Sequence, residues 1–174
     1  MKEKEIEKIV LATDFSDASK AARRYAEQLS RRLGARLILV HVFDRTAFRV
    51  PAASHLLPGV DHWLGRHFSD LKDKALEKLK KASAGLEGVE PVLLEGVPER
   101  ELMKYVTDND VDMIIMGTHG RTGLNHLVMG RVSERTIKKA PCPVLLIKPE
   151  AKKGDREVRW RFREKKKKTE GAPS

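Results

Sequence analysis

The chain has 174 residues, 40% hydrophobic and 34% charged, enough for one domain of about 150 residues whose core needs neither disulfides nor metals to staple it. Its formal net charge of +10 is unevenly placed: residues 151–174 hold ten Lys/Arg and four Asp/Glu, a net of +6 that leaves +4 for the rest, so overall basicity gives no ground for a nucleic-acid-binding body. Cys142 is the single cysteine, which excludes an intramolecular disulfide, no apolar run approaches the roughly 20 residues of a bilayer span, and MKEKEIEKIV lacks an apolar h-region, so a cytoplasmic protein is expected.

EKIVLATD (7–14) is a short β-branched run ending in a polar residue, the pattern of a buried strand. Ser16 or Asp17 caps the helix that follows, Ala18, Ala22, Tyr25, Ala26, Leu29 and Leu33 recur at helical spacing, and Gly34 stops it. ARLILVHVFD (35–44) is a second apolar strand. Residues 45–66, with two prolines, two glycines and scattered aromatics, break the rhythm and predict an irregular insertion with a helical turn near His55–Leu57. A charged amphipathic helix begins at His67, with Leu71, Ala75, Leu79 and Ala82 on one face. VEPVLLEG (89–96) is the third strand, and Pro98 opens the next helix. VDMIIMG (111–117) is the fourth strand, SERTIKKA a short helix, and CPVLLIKP (142–149) the fifth strand.

Apolar strands alternating with amphipathic helices predict a doubly wound α/β domain over residues 1–150, a parallel sheet with helices on both faces. Residues 151–174 form a basic tail expected to be flexible, although REVRWRF alternates Val158, Trp160 and Phe162 with arginines at a strand-like period.

The most informative stretch is MGTHGRTGLNHLVMGRVS (116–133), with four glycines, two histidines and two arginines between a strand and a helix. Gly117 and Gly120 can adopt positive φ and let backbone N–H groups approach an oxyanion. Gly130 precedes a helix whose first N–H groups form an anion site, and Ser133 at the expected N-cap caps that helix or donates to phosphate. His119, Arg121 and Arg131 add donors and charge. The stretch is not a P-loop, since G-x-x-x-x-G-K-[ST] is absent, and TDFSDAS after the first strand is not a dinucleotide fingerprint. In the order 3-2-1-4-5, inferred from motif placement, strands one and four are neighbours at the switch point, and Asp14 faces the glycine loop across one crevice.

Gly117-x2-Gly120-x9-Gly130, with KIVLATDFSDAS, LVHVFD and EGVPERELMKYVTDNDVDMIIMGTHGR, resembles the nucleotide-binding branch of the universal stress protein family across nearly all of residues 6–149. The resemblance implies a five-stranded parallel α/β sheet, dimerisation through the last strand, and ATP binding in a stress-responsive regulatory switch. It implies that Ala12, Thr13 and Asp14 border the adenosine, with Asp14 near ribose hydroxyls and Val42 against adenine. Met116 and Gly117 would line the ribose side, while His119, Gly120, Gly130, Arg131, Val132 and Ser133 wrap the phosphates. Arg131 stands where the family pattern has Ser or Thr, exchanging a hydroxyl for a guanidinium that either pairs with phosphate bidentately or points to solvent.

A magnesium or manganese ion bridging the phosphates would find only Asp14 as an evident carboxylate. His41 reads as a satisfied core or pocket-edge residue, and Cys142 between two prolines as a small buried hydrophobe. A slow ATP hydrolase or nucleotide transferase using His119 is the enzymatic alternative. An adaptor holding anionic lipid or nucleic acid through the basic tail is the third. The apolar edge Val144, Leu145, Leu146 and Ile147 predicts a two-fold homodimer with antiparallel pairing.

Overall fold

Alternate residues along each strand serve opposite faces of a sheet, and here both faces are buried. In the computed structural model, which describes residues 5–47, 53, 57–86, 88–118 and 129–148, Ile9 and Leu11 point with Leu37, Leu39 and Ile115 into one core layer. Val10 points with Ile38, Val40, Ile114 and Met116 into the other. The elements are β1 (Lys8–Ala12), α1 (Asp17–Leu33), β2 (Arg36–Phe43), a 3-10 turn (Arg45–Ala47), α2 (Val60–Ser83), β3 (Glu90–Glu95), α3 (Pro98–Asp108), β4 (Met113–Gly117), α4 (Arg131–Lys139) and β5 (Val144–Ile147).

All four strand pairs are parallel, in the expected order β3-β2-β1-β4-β5. Leu79 of α2 and Ala21, Ala22 and Ala26 of α1 close one face, and Leu102 and Val106 of α3 close the other. Register brings Ala12, Val40 and Met116 level at the carboxyl edge. At the opposite edge, Asp112 Oδ2 accepts from the backbone N–H groups of Glu7 and Lys8, both at 3.0 Å, and fixes the start of β1 against β4.

Ser16 caps α1 by accepting from the Ser19 N–H, and Gly34 ends it at φ 66. The buried stripe of α1 differs from the expected one. Tyr25 and Leu33 are exposed, while Ala18, Ser19, Ala21, Ala22, Ala26 and Ser30 are buried. Small residues on that stripe let the helix lie close to the sheet; Tyr25 and Leu33 fall outside the contact, and Leu29 packs against it half-buried. Gly117 belongs to the same fit: a Cβ there would stand 2.8 Å from the Ala18 carbonyl carbon and 3.0 Å from the Ser19 nitrogen.

The expected irregular insertion 45–66 is shorter than its composition suggested, because α2 starts at Val60 and not at His67. Gly59, at φ 80, turns the chain into the helix, and its carbonyl accepts from the Trp63 N–H at 3.0 Å. The proline-glycine pair therefore marks a helix start. Trp63 and His67 stack one turn apart on that helix. At its other side Lys72 bonds Glu95 at 2.7 Å, a pairing that holds the Glu95 carboxyl below the usual carboxylate range. The turn expected near His55–Leu57 and the tail 151–174 fall outside the described residues, apart from Leu57 itself.

Gly117→Ala should lower stability by about 1–3 kcal/mol, the usual cost of overpacking, because its new methyl meets α1 backbone and not a side-chain tip. Urea denaturation measures this; an unchanged midpoint would show that α1 is free to move away.

Candidate functional site

A parallel sheet sets the carboxyl ends of its strands on one edge, where each following helix begins. At the switch point between β1 and β4 that edge opens into a cavity of about 340 Å3. The first wall is the β1–α1 connection. The Thr13 N–H donates to the Val40 carbonyl at 2.9 Å, extending the ladder one step beyond β1. Its hydroxyl donates to Ser19 Oγ at 3.1 Å and accepts from the Phe15 N–H at 3.1 Å. Asp14 Oδ1 accepts from the Ser16 N–H at 3.0 Å, a turn held by its own side chain.

Phe15 takes a left-handed φ of 65 in this connection, unusual for a side chain of its size. Its ring lies 4.4 Å from that of His41, whose Nδ1 is 2.7 Å from the Thr13 carbonyl oxygen. That bond places the Nδ1 proton toward Thr13 in the neutral ring. His41 is buried and lines the cavity, the pocket-edge position expected of it.

Val42 and Asp44 form the second wall, at the end of β2, where Asp44 Oδ1 accepts from the Thr46 N–H and hydroxyl at 2.8 and 2.6 Å. Met116 and Gly117 end β4 and supply the floor beside Ala12. Gly117 does not use positive φ, contrary to expectation; its missing side chain makes room for α1. The two described ends of the glycine-rich stretch meet, since the Gly130 N–H donates to the Thr118 carbonyl at 2.9 Å.

Gly130, and not Ser133, is the N-cap of α4. Ser133 lies inside the first turn, and its buried hydroxyl donates to the Gly117 carbonyl at 2.9 Å. The sequence placed the N-cap three residues late because Ser is the commoner cap, whereas Gly130 serves with extended backbone and no side-chain bond. No side chain caps that first turn, and Gly130, Arg131, Val132 and Ser133 line the cavity at the positive end of the helix dipole.

The cavity thus gathers Ala12, Thr13, Asp14, Val42, Met116, Gly117, Gly130, Arg131, Val132 and Ser133 in one lining. His119 and Gly120 lie outside the described residues. Sequence reasoning missed Ser19, Ala47, Pro98 and Leu102, which also line it. Pro98 was legible as a helix opening directly after a strand, a position that reaches the same edge; Leu102 follows one turn along the same helix. Among the described residues no group of three His, Cys, Asp or Glu is arranged to hold a metal, and no helix is long and apolar enough to cross a membrane.

The architecture and crevice define a doubly wound α/β protein with a ligand-sized pocket at its switch point. The chain belongs to the universal stress protein family, whose family model matches residues 5–148. It is 34% identical over 145 residues to universal stress protein MJ0531 of Methanocaldococcus jannaschii, covering 81% of each chain. It is 31% identical over 152 residues to MJ0577 of the same organism, covering 81% of this chain and 94% of the relative. The solved structure of MJ0577 matches with a TM-score of 0.72 at 29% identity over 86% of this chain and 100% of that one. A universal stress protein solved in complex with cAMP shares the fold at 19% identity, with a TM-score of 0.53 over 84% of this chain and 100% of that one.

Ser133→Ala should cost about 1–2 kcal/mol by leaving the buried Gly117 carbonyl short of a donor. Ser133→Thr keeps the hydroxyl and should recover part of that loss in urea unfolding; equal stability of Ser133→Ala and the parent would show that the bond contributes nothing net.

Proposed function

We propose that the protein is an adenine-nucleotide-binding regulatory protein that takes ATP in the switch-point cavity and passes its occupancy to partner contacts. The observation that carries this reading is the lining of the cavity, which combines apolar side chains, Val40, Val42, Leu102 and Met116, with the N-terminus of α4 and Arg131. A planar apolar base suits the first, and a chain of phosphates suits the second.

In this reading Val42 packs on adenine, and Ala12, Thr13 and Asp14 border the adenosine. Asp14, one of whose carboxylate oxygens accepts within its own turn, lies near the ribose hydroxyls. Met116 and Gly117 flank the ribose, and Gly130, Arg131, Val132 and Ser133 surround the phosphates together with His119 and Gly120. Val132 and Ser133 contribute backbone N–H groups, since the Ser133 hydroxyl serves the Gly117 carbonyl. A magnesium or manganese ion would be held chiefly by phosphate oxygens. Family membership supports the reading, as does the ability of this fold to hold cAMP in another member. We further propose that β5, at the sheet edge, pairs Val144–Ile147 antiparallel with a second copy.

Protein purified without added nucleotide, then denatured, should release ATP or ADP near one equivalent per chain, or bind ATP on titration if the preparation is empty. Val42→Trp should fill the base end and abolish binding while the circular dichroism spectrum stays native. A folded protein that takes no ATP at millimolar concentration overturns the proposal, and turnover lost in His119→Ala would make the protein a hydrolase.

A further inference from the structure

Two guanidiniums converge on one buried carboxylate beside the phosphate end of the cavity. Glu99, in the first turn of α3, has a side chain only 8% exposed. Arg135 of α4 closes directly on its Oε1. Arg131, one turn earlier on the same face of α4, reaches the same oxygen only to 3.7 Å, and its side chain is 70% exposed. Among the described residues Glu99 Oε2 has no hydrogen-bond partner. The carboxylate is thus neutralised by Arg135, and the pair of arginines leaves one positive charge over.

We propose that Arg131 carries that surplus charge to the ligand and reads its phosphate number, with Glu99 and Arg135 as positioning residues; the inference rests on the nucleotide reading above. Arg131 lines the cavity, whereas Glu99 and Arg135 do not. At 3.7 Å its contact with Glu99 is too long for a hydrogen bond, and a guanidinium that is itself largely exposed gives up so long a contact at little cost. A phosphate at the α4 N-terminus offers the guanidinium a charge-assisted, bidentate partner instead. Arg135 makes the exchange possible, because it keeps the buried carboxylate paired when Arg131 departs. Each added phosphate brings more negative charge toward Arg131, so the site favours ATP over ADP and ADP over AMP. The unusual residue after the third glycine then sets selectivity and does not close the site.

The test is the set of dissociation constants for AMP, ADP and ATP, measured by calorimetry on the full chain. Arg131→Gln should weaken ATP about tenfold more than AMP, the scale of one charge-assisted hydrogen bond. Arg135→Gln should move the ATP-to-AMP ratio in the same direction, because Glu99 then captures Arg131. Adding Glu99→Gln to Arg135→Gln should restore the ratio, which a merely structural role would not do. A ratio unchanged in Arg131→Gln, or equal losses for all three nucleotides, overturns the inference and leaves nucleotide binding standing. Failure of the parent to bind any of the three removes both.

Discussion

The contact on which the crevice depends is the approach of α1 to the end of β4. Gly117 stands so close to Ala18 and Ser19 that no Cβ fits between them. The small residues of the α1 stripe continue the same close fit along the sheet. This packing holds the start of α1 against the end of β4, while β1 delivers its carboxyl end to the same place. The cavity is the gap left where the following connections leave the sheet in opposite directions.

Around that gap the backbone is fixed before any ligand arrives. Thr13, Ser16 and Ser19 bond one another and the neighbouring main chain, and Asp14 and Asp44 each fold a turn onto their own side chains. The left-handed Phe15 is held by its ring contact with His41, which in turn is tied to the Thr13 carbonyl. Strained backbone persists only where surroundings over-determine it, and here they do. Such a wall loses little freedom when a ligand binds, which favours affinity.

The opposite wall is defined by charge. Helices of a parallel α/β unit begin at the carboxyl edge of the sheet, so α3 and α4 turn their positive ends toward the cavity. Neither has a side-chain cap. Arg131 and Arg135 add positive charge on α4, and Glu99 on α3 answers it from a buried position. This concentration of charge on two helix ends belongs to the body and owes nothing to the basic tail, which holds most of the chain's net charge.

Strand and helix identity was written in the sequence, because uninterrupted apolar runs and 3.6-residue periodicity are local properties that burial on both sheet faces enforces. So were the strand ends where Ala12–Asp14, Val42 and Met116–Gly117 gather, since a parallel sheet places every such end on one edge. The start of α2 at Val60 was obscured because Pro58–Gly59 punctuates a loop and a helix start alike. Tyr25 and Leu33 match the helical period yet are exposed, because the closeness of α1 to the sheet selects small residues for the contact. Tertiary structure alone decided that Ser133 turns inward to the Gly117 carbonyl, that Gly117 is needed for space and not for its φ, and that Glu99 meets Arg131 and Arg135. Each of these joins residues far apart in the chain, and no local pattern encodes a distance across the fold.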